Sequence, residues 1–211
     1  MICGVDEAGR GPVIGPLVVA GVLADHAEIE ALTNLGVKDS KMLSPARREK
    51  LYKEISTSFK CHVVSVDAGG LDTLMAAKSL NEIEAECYAN VIETLLPRAA
   101  YVDAADVSCR NFERMILKYL DSRPRLVVEH KADERYPVVS AASIVAKVER
   151  DREIQRLHKI YGDFGSGYSS DRCTQDFLKQ YYAENRSFPD CVRKKWKTAV
   201  RISQPKIDEY L

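Results

Sequence analysis

The sequence predicts an α/β fold, in which a mixed sheet is followed by a helical C-terminal extension. Three observations support this class: short β-branched segments open the chain, strands and helices then alternate, and only helical patterns follow residue 137. A chain of 211 residues with 45% hydrophobic residues suits one large domain, or one domain with a small appendage.

Five short apolar segments are predicted to form the strands. Residues 2–6 and 17–23 flank an irregular turn rich in Gly and Pro, so these two strands are expected to pair antiparallel. The other three are predicted at residues 61–67, 100–102 and 126–129.

Helices are predicted wherever apolar residues recur at helical spacing. The clearest start is Ser44 followed by Pro45, since Ser caps a helix well and Pro fits its first turn. That helix should run to residue 58. Further helices are predicted at residues 73–96, 109–120, 137–161, 171–185 and 190–200.

The charged residues do not by themselves indicate a class of function. The 31 basic and 31 acidic residues cancel, so net charge does not indicate a nucleic-acid partner. A locally basic stretch, residues 186–206, suits either phosphate contact or a solvated helix face. Its basic residues are Arg186, Arg193, Lys194, Lys195, Lys197, Arg201 and Lys206.

Cysteine and hydropathy patterns predict a reducing cytoplasmic location. None of the six cysteines forms a C-x-x-C pair, so a zinc ribbon is not expected and the thiols should be free. We find no secretory signal, and the longest near-apolar run, residues 13–24, is too short to span a bilayer.

Four carboxylates stand where predicted strands end or helices begin: Asp6 and Glu7 after the first strand, Asp103 after the fourth and Asp133 after the fifth. Strand ends are where α/β sheets bind ligands. Clustered carboxylates favour a hard cation such as Mg²⁺ or Mn²⁺. Each acid has an alternative role as a turn former or helix cap, so spacing alone indicates only a possible metal site.

The segments around these acids resemble type 2 ribonuclease H, in its archaeal form. The matching segments, in the family's order, are DEAGRGP at residues 6–12, DSK at 39–41, YVD at 101–103, HKAD at 130–133, YPVVSAASIVAK at 136–147, GSGY at 165–168 and KWKT at 195–198. Each is short, but the ordered set is specific to that family.

The resemblance implies a ribonuclease H-like mixed five-stranded sheet flanked by helices, with a helical C-terminal subdomain. It implies hydrolysis of the phosphodiester 5′ to ribonucleotides in RNA/DNA hybrids and in duplex DNA, leaving a 3′-hydroxyl and a 5′-phosphate. Two Mg²⁺ or Mn²⁺ ions are the expected cofactors. The implied division is a catalytic core at 1–160, a substrate-binding subdomain at 161–203 and a tail at 204–211.

Site residues are carried over from the matching motifs. The expected catalytic and metal-binding residues are Asp6, Glu7, Asp103 and Asp133. The residues expected to recognise the ribose 2′-hydroxyl are Gly9, Arg10, Gly11 and Tyr168. Phosphate or supporting roles are expected for Ser40, Lys41, Ser143 and Lys147.

The chemistry of the residues expected to recognise the 2′-hydroxyl agrees with that role. Gly9 and Gly11 let peptide groups approach a sugar, and Tyr168 offers a phenol and a flat face. The 2′-hydroxyl is the group that separates RNA from DNA. The plainer alternatives are a tight turn at residues 9–11, a half-buried Tyr168, helix packing for Ser143 and a solvated Lys147.

The C-terminal tail resembles the peptide that binds the ring-shaped sliding clamp. Gln204, Ile207 and Tyr210 fit that pattern, while Leu211 replaces the second aromatic residue. A frayed tail is the alternative.

Two alternative functions are a type 3 ribonuclease H and a catalytically inactive hybrid-binding module. The type 3 family has Glu as its fourth acid and an extra N-terminal domain, whereas here the fourth acid is Asp133 and the first motif begins at residue 6. We expect a monomer that acts in ribonucleotide excision repair and DNA replication.

Overall fold

The computed structural model describes residues 1–37 and 43–204, which form two compact units. The sheet unit contains Met1–Ala8, Val18–Ser65 and Lys78–Glu149. The helical unit contains Gly9–Leu17, Val66–Ala77 and the chain from Arg150 onward. The predicted functional boundaries at residues 160 and 203 remain predictions.

A mixed five-stranded sheet organises the sheet unit, as predicted. The strands are β1 (Ile2–Ala8), β2 (Leu17–Ala24), β3 (Lys60–Val66), β4 (Ala99–Asp103) and β5 (Arg125–Glu129). Their order is β3-β2-β1-β4-β5. β1 pairs antiparallel with β2 and parallel with β4, which pairs parallel with β5. The parallel strands therefore end at one edge of the sheet.

The described residues of both units also form helices. They are α1 (His26–Leu35), α2 (Pro45–Ser58), α3 (Ala68–Leu74), α4 (Leu80–Leu95), α5 (Cys109–Leu117), α6 (Ala132–Arg135), α7 (Pro137–Tyr161), α8 (Arg172–Asn185) and α9 (Lys197–Ser203). The helix predicted at 137–161 is confirmed. The sequence reading missed α1, although Asp25 and Glu28 form its capping box.

The predicted helix 73–96 is wrong because a second helix start lies inside it. Ser79 and Glu82 form a capping box, with the Ser79 side chain accepting from the Glu82 amide and the Glu82 carboxylate accepting from the Ser79 amide. α3 therefore ends at Leu74, and α4 begins at Leu80.

The predicted helix 190–200 is also wrong over its first half. The backbone there is used in tertiary pairing: Ile14 and Val192 form an isolated bridge, and the Arg193 amide donates to the Val13 carbonyl at 2.9 Å. Only α9 is helical in this region, because backbone groups paired with another segment are not available for a helix.

Gly4 in β1 sets the position of α7 in the sheet unit. A Cβ at Gly4 would lie 2.3 Å from the Val138 carbonyl carbon and 2.4 Å from the Val139 nitrogen. The first turn of α7 thus packs directly on the β1 backbone. On the opposite face, a Cβ at Gly21 would lie 2.3 Å from Val91 of α4. Gly21 lies in β2 and pairs with Val5 of β1, so the sheet is covered by α7 on one face and by α4 on the other.

The helical unit has a hydrophobic core of its own. Its buried residues are Val13, Ile14, Ile154, Leu157, Phe164, Leu178, Phe188, Cys191, Val192 and Ala199. Two of them come from the loop that joins β1 to β2, residues 9–16, called here the β1–β2 loop. Of the helices that the structure describes, none has the length and apolar character needed to cross a membrane.

Candidate active site

Three acids from distant parts of the sequence meet at the edge where the parallel strands end. The register pairs Val5 of β1 with Val102 of β4, so Asp6 and Asp103 are the next residues on neighbouring strands. Asp133 comes from α6, just beyond β5. Asp6, Asp103 and Asp133 each offer a carboxylate oxygen, and these oxygens all lie within 4.8 Å of one another.

Local hydrogen bonds bring Asp133 into this group. The amide of Ala132, the first residue of α6, donates to the Asp103 carboxylate at 3.3 Å. The hydroxyl of Ser140 in α7 donates to the main-chain carbonyl of Asp133. The end of β4 and the first turn of α7 together orient α6, so that the buried Asp133 side chain faces the strand ends.

The Asp6 carboxylate is the most constrained of the three. It is 6% exposed, and it accepts the Glu7 amide at 2.7 Å. Burial raises its pKa well above the usual range, the charges of Glu7 and Asp103 raise it further, and a hydrogen bond from Ser143 opposes the rise. Lys147 donates to the Ser143 hydroxyl at 2.9 Å, so its ammonium group is linked to the Asp6 carboxylate through the Ser143 side chain.

The donor set fits a small hard cation. Clustered, largely buried carboxylates repel one another, and a divalent ion among them relieves that repulsion. Mg²⁺ and Mn²⁺ prefer such oxygen ligands. Asp6, Asp103 and Asp133 are therefore the described residues that form a candidate metal centre.

Glu7 lies on the opposite face of β1 from Asp6, as alternation along a strand requires. Its carboxylate accepts a hydrogen bond from the hydroxyl of Tyr88 in α4, and that hydroxyl lies 3.3 Å from the Asp103 carbonyl oxygen. Burial raises the pKa of Tyr88 well above its usual value, with Glu7 as the next cause. Glu7 is thus held at the strand end but is not one of the three clustered acids.

The sequence analysis missed Tyr88. It is fully buried, packs edge-on against Phe112 with ring centroids 5.2 Å apart, and occupies a core position of α4. At helical spacing such a residue is indistinguishable from an ordinary core aromatic. The only available signal was its hydroxyl, because a buried phenol requires a partner.

The predicted 2′-hydroxyl recognition residues lie in the helical unit, close to one another. The Gly167 carbonyl accepts the amides of Val13 at 2.8 Å and Ile14 at 3.1 Å, which ties the β1–β2 loop to the segment that carries Tyr168. A Cβ at Gly11 would lie 3.8 Å from Cε1 of Tyr168. The Tyr168 side chain is 43% exposed, so its ring remains accessible.

The Arg150 side chain lies beside both Tyr168 and the β1–β2 loop. Its guanidinium carbon lies 5.3 Å from the centroid of the Tyr168 ring. Gly9 has φ +89°, and a Cβ there would lie 2.3 Å from the Pro16 oxygen and 2.8 Å from the Arg150 side chain. Only glycine suits position 9, for both conformational and steric reasons.

The predicted basic surface is wrong for one of its members. Arg193 is 0% exposed, and burial followed by the charge of Arg150 lowers its pKa. Its neighbours Lys194 and Lys195 are exposed, and their amides donate to the Asp72 carboxylate at 2.7 and 3.1 Å. The reading of residues 186–206 as one basic surface missed this because composition does not separate a buried cation from exposed ones.

Several predicted residues lie outside the described part of the chain. They are Ser40, Lys41, Lys206, Ile207, Tyr210 and Leu211. Gln204 is described: it is exposed and follows the last turn of α9.

Comparison with known proteins gives one consistent family. The family model described as Ribonuclease HII matches residues 3–199. A curated Ribonuclease HII from Archaeoglobus fulgidus is 50% identical over 210 residues, covering 100% of both chains. A solved structure of the PCNA:RNase HII complex from the same organism superposes with a TM-score of 0.89 at 51% identity, covering 99% of this chain and 100% of that one.

A more distant match concerns the type 3 enzymes. The crystal structure of Bst-RNase HIII in complex with Mn²⁺ superposes with a TM-score of 0.84 at 21% identity, covering 95% of this chain and 68% of that one. At this identity the likeness shows the shared ribonuclease H-like fold alone. The family model and the relatives at 45–50% identity all carry the type 2 name, so the type 3 alternative is not supported.

Proposed function

The chain belongs to the ribonuclease HII family, whose members are hydrolytic endonucleases, and we propose that it cuts the phosphodiester on the 5′ side of ribonucleotides. The proposed substrates are RNA/DNA hybrids and duplex DNA with embedded ribonucleotides, and the products are a 3′-hydroxyl and a 5′-phosphate. The observation that carries the proposal is the convergence of Asp6, Asp103 and Asp133 within 4.8 Å.

We assign Asp6, Glu7, Asp103 and Asp133 as the ligands of two divalent ions, Mg²⁺ or Mn²⁺. When bound, such ions activate water and stabilise the leaving oxygen in phosphodiester hydrolysis. The carboxylates supply the negative charge and the fixed oxygen positions. Glu7 is included because its charge acts on the Asp6 carboxylate, and its hydrogen bond with Tyr88 holds it near the three clustered acids.

Ser143 and Lys147 are proposed to support the acids and the substrate phosphate. They lie one turn apart on α7, and Lys147 donates to the Ser143 hydroxyl at 2.9 Å, which in turn bonds Asp6. This arrangement orients the Asp6 carboxylate and places positive charge nearby. Ser40 and Lys41 keep their predicted phosphate role, on the family motif alone.

The β1–β2 loop and Tyr168 are proposed to select a ribose. The bonds from Val13 and Ile14 to Gly167 support this role, because they fix the peptide groups of the loop beside the phenol. A site built to bond a hydroxyl rejects a sugar that lacks it, since its own polar groups would lose their partner. Such selection suits ribonucleotide excision repair and the removal of RNA during DNA replication.

The direct test is cleavage of two matched duplexes, one with a single ribonucleotide and one of DNA alone. Wild-type protein with Mg²⁺ should cut the first on the 5′ side of the ribose and leave the second intact. Asp103→Asn and Asp133→Asn should lose at least about a thousandfold in turnover, since each removes a proposed ligand. Asp176→Asn, an exposed acid in α8, is the matched control. Gel retardation without metal-dependent cleavage would indicate an inactive hybrid-binding module and contradict the proposal.

A sliding clamp is the proposed protein partner. The related A. fulgidus enzyme was solved in complex with PCNA, and this chain ends in a peptide of the clamp-binding pattern that begins at Gln204. Deleting residues 204–211 should abolish retention on an immobilised clamp and leave cleavage of a short duplex unchanged. Equal retention of both proteins would end this proposal.

We further propose that the protein is a monomer and acts in the cytoplasm. Light scattering after gel filtration should give a mass near the 23.6 kDa of one chain. A mass of twice that value would contradict the first part, and fractionation of cells tests the second.

A further inference from the structure

Arg193 is a fully buried cation that binds main-chain oxygens of the β1–β2 loop. Its Nε donates to the Gly15 oxygen at 2.9 Å, Nη1 to the Arg10 oxygen at 3.2 Å and Nη2 to the Gly9 oxygen at 2.6 Å. Burying a charge is costly, and charge-assisted hydrogen bonds such as these three offset that cost. One planar side chain thus fixes both ends of the loop.

Trp196 extends this contact by one peptide. Its indole Nε1 donates to the Gly11 oxygen at 3.2 Å, and its ring centroid lies 4.7 Å from the Arg193 guanidinium carbon. The carbonyls of residues 9, 10 and 11, three in a row, are therefore held by two neighbouring side chains.

The direction of the amide groups follows from this arrangement. The described peptide bonds are trans, so each carbonyl and the amide that follows it point in opposite directions. With the Gly9 and Arg10 oxygens held toward Arg193, the amides of Arg10 and Gly11 point away from it. Two consecutive amides with fixed direction form a site suited to an oxygen atom of a ligand.

The segment that carries Arg193 and Trp196 is itself anchored. The Asp72 carboxylate accepts the amides of Lys194 and Lys195, and the Arg193 amide donates to the Val13 oxygen at 2.9 Å. The two side chains therefore project from a turn whose backbone is fixed on both sides. Fixed supports of this kind determine how accurately a binding group is placed.

We propose that Arg193 and Trp196 are positioning residues for ribose selection. They hold the β1–β2 loop so that its amides face the 2′-hydroxyl, and they do not touch the substrate sugar themselves. The inference rests on the proposed function, because it concerns how the same loop discriminates ribose from deoxyribose. A residue needed only for folding would change the amount of active protein and leave that discrimination unaltered.

The experiment measures discrimination directly. For each variant, the KM of a duplex with one ribonucleotide is compared with the Ki of the all-DNA duplex of the same sequence, used as a competitor. Arg193→Lys keeps the charge but loses the planar fork, so it cannot hold three carbonyls together. Trp196→Phe keeps a ring beside the guanidinium and removes one donor. The matched controls are Arg172→Lys, which changes an exposed arginine, and Tyr182→Phe. The second control removes a hydroxyl that donates to the Ser203 oxygen at 3.3 Å in the wild type.

We expect the ratio of Ki to KM to fall about tenfold or more in Arg193→Lys and several-fold in Trp196→Phe, as lost hydrogen bonds would produce. The Mg²⁺ concentration at half-maximal rate should stay at the wild-type value in both. The two controls should keep the wild-type ratio.

Unchanged ratios in folded variants would overturn the inference, and so would an equal loss of affinity for both duplexes. Where Arg193→Lys fails to fold, Trp196→Phe alone decides. Failure of the proposed function gives a different result, because wild-type protein would then bind and cut both duplexes alike or cut neither.

Discussion

The acid cluster and the β1–β2 loop are built in opposite ways. In the sheet unit, side chains carry the chemistry: Asp6, Asp103 and Asp133 supply oxygens from positions fixed by strand register. In the helical unit, the proposed recognition groups belong mainly to the main chain, and side chains such as Arg193 serve to hold them. Substitution should therefore impair the acid cluster by removing a carboxylate oxygen, and the β1–β2 loop by displacing its main-chain groups.

Asp6→Asn should produce the largest effect, with opposite signs for activity and stability. Turnover should fall by about a thousandfold or more, because a proposed metal ligand is lost. Burial and the charges of Glu7 and Asp103 raise the Asp6 pKa, so its negative charge destabilises the metal-free fold. In EDTA the variant should melt a few degrees higher than wild type, since about 1 kcal/mol corresponds to roughly 2–4 °C at this size.

Calorimetry with and without Mg²⁺ checks this prediction. Mg²⁺ should raise the melting temperature of wild type and have little effect on Asp6→Asn. A variant that melts below wild type in EDTA would show that the charge of Asp6 does not destabilise the metal-free fold.

Gly9→Ala should come next, with a loss of about a hundredfold in kcat/KM. The position has φ +89°, which disfavours any side chain, and the added Cβ would lie 2.3 Å from the Pro16 oxygen. Because the backbone must move, ribose discrimination should fall while the Mg²⁺ requirement stays at the wild-type value. A change in the Mg²⁺ requirement alone would contradict the separation of roles between the two regions.

Tyr88→Phe should have a smaller effect, confined to the metal. It removes the hydroxyl bonded to Glu7, and loss of a partner behind a ligand typically costs about 10–100-fold in metal affinity or activity. We expect about a tenfold rise in the Mg²⁺ concentration at half-maximal rate, with unchanged ribose discrimination. Tyr119→Phe, which removes a phenol elsewhere in the sheet unit, is the control. An unaltered Mg²⁺ titration would exclude Tyr88 as a support for Glu7.

Gly11→Ala should have the smallest effect and forms a pair with Gly9→Ala. A Cβ at Gly11 meets only Tyr168, at an ordinary contact distance of 3.8 Å. The free protein should fold and melt as wild type does. If a sugar packs between the loop and Tyr168, KM for a ribonucleotide duplex should still rise several-fold. An unchanged KM would place the sugar elsewhere.

The same contrast explains what the sequence could predict. The four acids could be proposed because strand ends and family motifs are local patterns, and the structure places three of them together. Tyr88 and Arg193 could not, since their roles depend on partners 81 and up to 184 positions away. Periodicity assigns a buried Tyr to the core, and composition assigns an Arg to the surface.

Element boundaries failed for related reasons. The predicted helix 73–96 overlooked the capping box at Ser79, a local signal that was available in the sequence. The predicted helix 190–200 failed on a signal that was not available, the pairing of Val192 and Arg193 with the β1–β2 loop. Tertiary pairing overrides local propensity whenever backbone groups find partners elsewhere.

Arg193 donates its hydrogen bonds to main-chain carbonyl oxygens, which are present whatever the side chain. Its hold on the loop is therefore indifferent to which side chain stands at position 10, so natural drift or deliberate engineering can alter that side chain without releasing the backbone. The conformation of the main chain, and with it the proposed recognition of the ribose, is therefore expected to persist when the side chain at position 10 changes.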